Sequence, residues 1–275
     1  MSRAGFLVGI LLLIAFSRGA ACAQTQDSLL YTLPAGGAAF TVDKLQQAYV
    51  ADSSNAVTKY SPSGQEQFRY YDNSRGRLGY IDATDPFNLL LFYPDLQAIV
   101  LLDRTLNERG VLPLFAAGVL QASAAALARD NNIWVYDEVA FRLLKLGPDG
   151  AVLADSGNLS ALLPDPPRRG AQLMARGNWV YLNAPGQGIY VFDNFTQFHE
   201  RLPFEEVAHF ELSGERLYLY GEKGRIRAYH TRLLREVELQ LNTEGAKLCR
   251  LQNGRFYRMG QNGAVQAFLL RTAGK

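Results

Sequence analysis

The chain has 275 residues, 48% of them hydrophobic, which is enough for one large all-β domain or two small domains with a substantial core. Its 28 basic and 26 acidic residues give a formal net charge of +2, so no excess of Lys and Arg favours a nucleic-acid backbone. The two cysteines are too few for a disulfide-rich scaffold.

The first predicted element is an export signal. Arg3 precedes an unbroken apolar run, "FLVGILLLIAF", and the small residues Ala21-Cys22-Ala23 follow it. This arrangement is typical of a signal peptide, residues 1–23, that is cleaved before Gln24. The apolar run of 11 residues is shorter than the roughly 18 to 20 that a membrane-spanning helix needs, so no transmembrane segment is expected. The sequence therefore predicts an exported protein, periplasmic or associated with an outer membrane.

An alternative interpretation places the cleavage before Cys22, whose thiol would then carry a lipid anchor. Gly19 stands where such signals usually have Leu or a similar residue, which favours cleavage before Gln24. Both interpretations place the protein beyond the cytoplasmic membrane. Loss of residues 1–23 would remove Arg3 and Arg18 and leave 26 basic and 26 acidic residues.

Six apolar hairpins follow one another along the rest of the chain. Each has an aromatic and aliphatic run, a polar turn and a second aliphatic run, from "QAYVADSSNAVTKYS" to "RFYRMGQNGAVQAFLLR". The residues that enter the six turns recur at intervals of 38 to 47 residues and are Asp52, Asp95, Asp137, Ala184, Glu222 and Gln261. The mean interval of about 42 residues matches the period of a four-stranded propeller blade.

Further strand-like segments flank each hairpin. A run rich in small residues, such as "LQASAAALA", precedes it and suits the crowded axis of a propeller, and an outer strand such as "GQEQFRYY" follows it. The sixth hairpin has no outer strand after it, whereas "SLLYTL" at 28–33 precedes the first inner strand without a blade of its own. We therefore predict an all-β, six-bladed β-propeller of four-stranded antiparallel blades, closed by this N-terminal strand in the last blade.

The predicted propeller is a single domain over residues 24–275. Its blades are expected at roughly 38–71, 76–114, 119–157, 170–204, 206–241, and 244–271 plus 28–33. An α/β fold is disfavoured because the Ala-rich run lies between strand runs and no helical segment recurs in the other repeats. A two-sheet sandwich stays open, although its strands would not group in fours.

The first hairpin resembles an NHL-type propeller repeat, in which an aromatic-Val-x-Asp strand end precedes a polar turn, an apolar strand and a Gly-bearing turn. The matching residues are Tyr49, Val50, Asp52, Asn55, Val57 and Gly64 in blade one, and Trp134, Val135, Asp137, Leu143 and Gly150 in blade three. Blades four to six depart from the pattern, with Ala184, Glu222 and Gln261 in place of the Asp. The resemblance implies a propeller and leaves activity open, because such propellers include enzymes, ligand binders and protein-binding scaffolds.

The chain also resembles small exported propellers of bacterial cell envelopes, some of which associate with outer-membrane machinery such as the type IX secretion translocon. This resemblance depends on the export signal, the single ring and the lack of catalytic motifs. It implies a protein partner in the envelope and gives no role to any particular residue.

The candidate contact residues lie in loops. The longest connector, "GNLSALLPDPPRRG" at 157–170, contains Asp165, Arg168 and Arg169, which we expect to contact a ligand or partner because long loops on rigid scaffolds often carry function. Tyr71 and Tyr93 border predicted loops, and aromatic residues are favoured at protein interfaces. These five residues are the predicted ligand- or partner-binding set.

Metal and catalytic signals are sparse. Asp82, Asp85 and Asn88, in "YIDATDPFN", resemble the acidic and amide ligands with which lactonase-type propellers hold a divalent cation at the channel mouth. His209 lies two residues from Glu211 on a predicted inner strand, so both side chains are expected on one side of it. The sequence has no nucleophile elbow, P-loop or dinucleotide fingerprint, so no catalytic residue and no cofactor is predicted.

The favoured interpretation is therefore a non-catalytic exported propeller that binds another protein, as a component of a bacterial envelope or outer-membrane complex. Two alternatives stay open. One is a metal-dependent hydrolase of the lactonase type, and the other is capture of a small ligand or glycan at the channel mouth without chemistry.

Overall fold

A computed structural model describes residues 24–170, 172–221 and 224–272. In these ranges the chain forms six four-stranded antiparallel sheets and two short helical segments. The expected export signal with Cys22 and the turn residue Glu222 lie outside the described residues. No helix of the described ranges has the length and apolar character needed to cross a membrane.

The strands follow the chain blade by blade. The first strand is β1 (Gln24–Thr32). Blade 1 contains β2 (Gly37–Val42), β3 (Ala48–Asp52), β4 (Val57–Tyr60) and β5 (Glu66–Tyr70). Blade 2 contains β6 (Tyr80–Asp85), β7 (Asn88–Tyr93), β8 (Ala98–Asp103) and β9 (Glu108–Pro113). Blade 3 contains β10 (Ala122–Leu127), β11 (Ile133–Asp137), β12 (Arg142–Leu146) and β13 (Val152–Asp155).

The second half continues the same pattern. Blade 4 contains β14 (Gln172–Arg176), β15 (Trp179–Ala184), β16 (Gly188–Asp193) and β17 (Phe198–Leu202). Blade 5 contains β18 (Val207–Ser213), β19 (Arg216–Gly221), β20 (Ile226–His230) and β21 (Arg235–Leu239). Blade 6 contains β22 (Ala246–Gln252), β23 (Arg255–Gly260) and β24 (Val265–Thr272). A 3₁₀ helix (Leu114–Ala117) joins blades 2 and 3, and α1 (Leu159–Leu162) joins blades 3 and 4.

The ring is closed by strand exchange between the two ends of the chain. The innermost strand of each blade is its first, because β2, β6, β10, β14, β18 and β22 contact one another around the axis. The sheet order of blade 6 is β1-β24-β23-β22, with Leu29 opposite Phe268. The predicted six-bladed propeller, completed by the N-terminal strand, is confirmed.

Glycine makes the seam between blades 6 and 1 possible. Gly263, in the turn before β24, has a φ of +81°, and a Cβ at this position would lie 2.3 Å from the carbonyl oxygen of Gly37. The amide of Leu33 donates to the carbonyl of Val265 at 2.7 Å beside it. A side chain at position 263 would therefore push the first blade away from the last.

Among the described residues the core forms six buried clusters, one between each pair of adjacent blades. Between blades 3 and 4, for example, Trp134 and Tyr136 pack against Leu182. Because a propeller sheet is covered on both faces, its middle strands are apolar at successive positions instead of alternating. The run "NLLLFY" of β7 shows this pattern, with five of its six residues buried.

Two faces of the ring carry the loops. The turns between second and third strands and the connections between blades share one face, which we call the connector face. The Asn55 side chain, in such a turn, donates to the carbonyl of Gly76 and accepts from the amide of Leu78 in the next connection. The Glu138 amide likewise donates to the Gln121 carbonyl. The other turns form the opposite face.

Candidate functional site

Asp165 holds the longest connector onto blade 4. Its Oδ2 accepts a hydrogen bond from Arg201 Nη1 at 2.6 Å, and its Oδ1 accepts one from Gln187 Nε2 at 2.9 Å. The Tyr190 hydroxyl donates to the Asp165 backbone carbonyl at 2.7 Å. Both carboxylate oxygens are therefore engaged within the protein, and Asp165 is better explained as an anchor of the loop than as a ligand contact.

The two arginines of the same connector stay accessible. The Arg168 side chain is 79% exposed, with one guanidinium nitrogen 3.7 Å from Asp165 Oδ1, and its backbone amide is fixed by Gln187. Arg169 is also exposed. The connector thus presents two cations from a backbone that is tied to the blades.

Tyr71 and Tyr93 have different environments. Tyr71 is 56% exposed in the connection between blades 1 and 2, on the connector face. Tyr93, the last residue of β7, is fully buried in the cluster between blades 1 and 2. The expectation that Tyr93 contributes to a binding surface is wrong for this structure, because its ring is buried between blades 1 and 2.

An ordered acidic turn follows Tyr71. The Ser74 hydroxyl donates to Asp72 Oδ1 at 2.6 Å, and Arg75 Nε donates to Oδ2 at 2.5 Å. The hydrogen bond from Ser74, followed by that from Arg75, lowers the pKa of Asp72 to about 2. Arg75 also pairs with Glu108 of β9 at 3.0 Å, so the turn is fixed against blade 2.

Because of this turn, the free energy of unfolding should depend on pH in the acid range. Because the folded pKa of Asp72 lies below its ordinary 3.8, the stabilising contribution is complete above about pH 5 and is lost as the pH falls toward 2. We expect Asp72→Asn to reduce the free energy of unfolding at pH 6 and to have little effect near pH 2. Urea denaturation at several pH values measures this difference; a difference that is independent of pH would contradict it.

Asp82 and Asp85 line one cavity of about 410 Å³ on the propeller axis, which we call the axial cavity. The ends of the inner strands of all six blades enclose it on the opposite face. Asp82 is buried, and its two oxygens accept from the amides of Thr84 at 2.8 Å and Leu127 at 2.7 Å. Burial raises the pKa of Asp82, and its carboxyl bridges blade 2 to blade 3.

Asp85 is similarly engaged near the mouth of the cavity. Its Oδ1 accepts from the Phe87 amide at 3.1 Å and its Oδ2 from the Asn88 side chain at 2.7 Å. Within the described ranges, no three or more His, Cys, Asp or Glu side chains are grouped so that they would hold a metal ion. These hydrogen bonds give Asp82 and Asp85 a structural role in the inner strand of blade 2 and in the turn that follows it.

His209 and Glu211 meet around Tyr220 at the interface between blades 5 and 6. The His209 ring stacks on the Tyr220 ring at 4.2 Å between centroids, and its Nε2 lies 3.2 Å from the Cys249 carbonyl. Burial, together with the charge of Arg250, holds the pKa of His209 well below its usual range. The imidazole is therefore neutral near pH 7, and it lines the pocket between these two blades instead of the axial cavity.

Glu211 turns toward the axis. It pairs with Arg250 at 3.0 Å and accepts from the Tyr220 hydroxyl at 2.6 Å and the Leu251 amide at 3.0 Å. Burial raises the pKa of this carboxyl, while the Arg250 charge opposes the rise. Polar side chains of the inner strand thus satisfy backbone groups of the next blade, as Gln172 also does with both backbone groups of Phe210.

Sequence reasoning missed an apolar surface on the connector face. Five large side chains, each more than half exposed, lie in the turns and connections of blades 2 to 4, and we call them the apolar sector: Leu96 (52%), Phe115 (65%), Leu120 (53%), Val139 (58%) and Leu162 (64%). The only trace of this surface in the sequence is that large apolar residues occupy predicted loop positions. The sequence does not show which of these loops lie on the same face, because that depends on how the ring closes.

Hydrogen bonds hold the segments of the apolar sector side by side. The Leu114 amide donates to Gln97 O at 2.8 Å, which joins the 3₁₀ helix to the turn of Leu96. The buried Asp137 carboxylate accepts from the amides of both Leu120 and Val139. The Leu159 amide, at the start of α1, donates to Phe141 O at 2.7 Å. The sector is therefore a preformed surface on ordered backbone.

The comparisons with known proteins identify a fold. No protein-family model and no curated protein matches the chain. Among solved structures, a streptogramin B lyase is 14% identical with a TM-score of 0.58, over 90% of this chain and 87% of that one. Virginiamycin B lyase from Staphylococcus aureus is 12% identical with a TM-score of 0.57, over 88% of each chain.

A third similar structure is not described as an enzyme. BBS1N, solved in complex with ARL6DN, is 12% identical with a TM-score of 0.54, over 93% of this chain and 99% of that one. At such identities the similarity concerns the fold alone. The chain is therefore similar in fold to a streptogramin B lyase, a virginiamycin B lyase and a protein solved in a complex, and it shares their architecture.

Proposed function

We propose that this protein is a non-catalytic, exported β-propeller that binds another protein through its connector face. The observation that carries the proposal is the apolar sector. Exposed apolar groups that are concentrated on one part of a surface mark interaction sites more often than isolated ones do. Its side chains project from backbone that is already hydrogen-bonded, so binding would cost little ordering of loops.

The surroundings of the sector suit a protein partner. Arg168 and Arg169 follow Leu162 in the same connector and remain exposed, and interfaces favour Arg at the edge of an apolar centre. Tyr71 lies on the same face in an earlier connection. An envelope location is part of the proposal and rests on the signal-like pattern of residues 1–23; the partner would then be an envelope or outer-membrane protein.

Removal of the sector should abolish partner capture. We expect tagged wild-type protein, cross-linked in cells and purified from the envelope, to recover a defined partner. The double variant Phe115→Ser/Leu162→Ser should recover at least about tenfold less, because a tenfold loss corresponds to about 1.4 kcal/mol and a single hot-spot anchor contributes about 2 kcal/mol or more. Quantitative mass spectrometry of the cross-linked material measures the ratio.

A matched control lies on the opposite face. Leu233 and Leu234, in the turn between β20 and β21, are 61% and 70% exposed, so Leu233→Ser/Leu234→Ser removes two large apolar side chains of similar fractional exposure elsewhere. This control should capture the partner as well as the wild type does. Recovery of the protein alone as a monomer, or equal loss in both variants, would contradict the proposal.

A further inference from the structure

The axial cavity has the size and position of a small-molecule site. Its volume of about 410 Å³ lies within the range of about 300 to 1,000 Å³ that ligand pockets occupy. All six blades contribute to its wall, so its shape is set by the whole ring. It opens on the opposite face, away from the apolar sector.

The acids of the cavity are already satisfied by the protein. Both oxygens of Asp82 accept backbone amides, and both oxygens of Asp85 accept donors from its own turn. Glu211 pairs with Arg250 and accepts two further hydrogen bonds. Every carboxylate oxygen of these three acids therefore accepts at least one donor from the protein itself, which offsets part of their negative charge.

The cations of the cavity are not satisfied in this way. Lys44, Arg129 and Arg176 approach the mouth from blades 1, 3 and 4, and in the described part of the chain none of them forms an ion pair with an acid. Arg176 Nη1 donates to the Leu212 carbonyl at 2.5 Å, which fixes its guanidinium at the rim while other N–H groups stay open. Thr41 of blade 1 also lines the cavity.

Tyr80 adds a hydroxyl-bearing side chain to the lining of the cavity. Its hydroxyl accepts a hydrogen bond from Gln172 Nε2 at 3.3 Å, which joins blade 4 to blade 2 across the axis. Its own proton is directed to no acceptor among the hydrogen bonds of the described residues. The lining of the cavity thus combines three cations with a hydroxyl group.

We propose that the axial cavity binds a small organic anion, with Lys44, Arg129 and Arg176 pairing with its carboxylate or phosphate groups. Three cations around one opening suit a ligand that carries more than one negative charge, because each charge-assisted hydrogen bond adds to affinity. The site is independent of the proposed partner surface, since it uses other residues on the other face.

The test uses two anions as probes. Mature protein is titrated by calorimetry with citrate and with inorganic phosphate, in sodium chloride of matched ionic strength, so that general screening is held constant. We expect saturable binding of at least one probe; citrate alone would assign a carboxylate ligand and phosphate alone a phosphoryl ligand. Lys44→Gln/Arg129→Gln should weaken that binding at least about tenfold.

Two further variants keep the test decisive. Arg104→Gln removes an exposed cation from the same face but outside the cavity, and it should bind as the wild type does. Asp85→Asn removes the acid nearest the mouth and should tighten anion binding several-fold. This change is opposite to the weakening expected for the Lys44 and Arg129 variant, and loss of folding cannot produce it. Absence of binding by both probes, or equal binding by the Lys44 and Arg129 variant, would overturn the inference and leave the partner surface untouched.

Discussion

Replacement of Asp137 by Ala should lower the free energy of unfolding by about 3 to 5 kcal/mol. Asp137 is fully buried, and its carboxylate accepts four backbone amides at 2.8 to 3.2 Å, from Leu120, Gln121, Val139 and Ala140. Alanine would leave these four part-buried donors without their acceptor, and an unsatisfied donor costs about 1 to 3 kcal/mol when it is fully buried. Urea denaturation followed by circular dichroism measures the loss.

Asp95 supplies the matched control. It occupies the corresponding turn-entry position of blade 2, yet its side chain is exposed and makes no hydrogen bond in the described structure. Asp95→Ala should therefore change the free energy of unfolding by less than about 0.5 kcal/mol. Similar losses in the two variants would show that the four amide bonds of Asp137 are not the source of its effect.

These two aspartates show which features of the structure the sequence repeat predicts and which it does not. The interval between them contributes to the blade period, which with the unpaired segment 28–33 was sufficient to predict six blades and the closing strand. From their place in the repeat, both residues are predicted only to form turns. Only the structure shows that one carboxylate is buried beneath a connection and organises it, because that depends on how the preceding connection crosses the blade.

The candidate site was harder to predict for the same reason. Asp165 looks like a free acid in a long loop, but Gln187 and Arg201 of blade 4 occupy its oxygens. Tyr93 looks like a loop-border aromatic, but both faces of β7 are covered. Side-chain exposure at strand ends and in connectors follows from packing between blades, for which a single sequence holds no local pattern.

Replacement of Glu211 by Ala should lower the free energy of unfolding by about 3 to 5 kcal/mol. The Glu211 and Arg250 side chains are each 13% exposed, and their 3.0 Å ion pair joins the inner strands of blades 5 and 6. Removing the carboxylate would leave the guanidinium of Arg250 unpaired near the axis, and would also remove the acceptor of the Tyr220 hydroxyl and the Leu251 amide. Denaturation midpoints with unchanged m-values would measure this loss.

The ion pair on the outer strands of blade 5 provides the comparison. Glu236 pairs with Arg227 at 3.1 Å where the two side chains are 37% and 24% exposed, so Glu236→Ala should cost less than about 1 kcal/mol. The double variant Glu211→Ala/Arg250→Ala should be more stable than the sum of its single losses predicts, by about 1 to 3 kcal/mol, because it no longer leaves a charge without its partner. Additive losses would mean that Glu211 stabilises the ring through Tyr220 and Leu251 alone, and that the unpaired charge of Arg250 costs little.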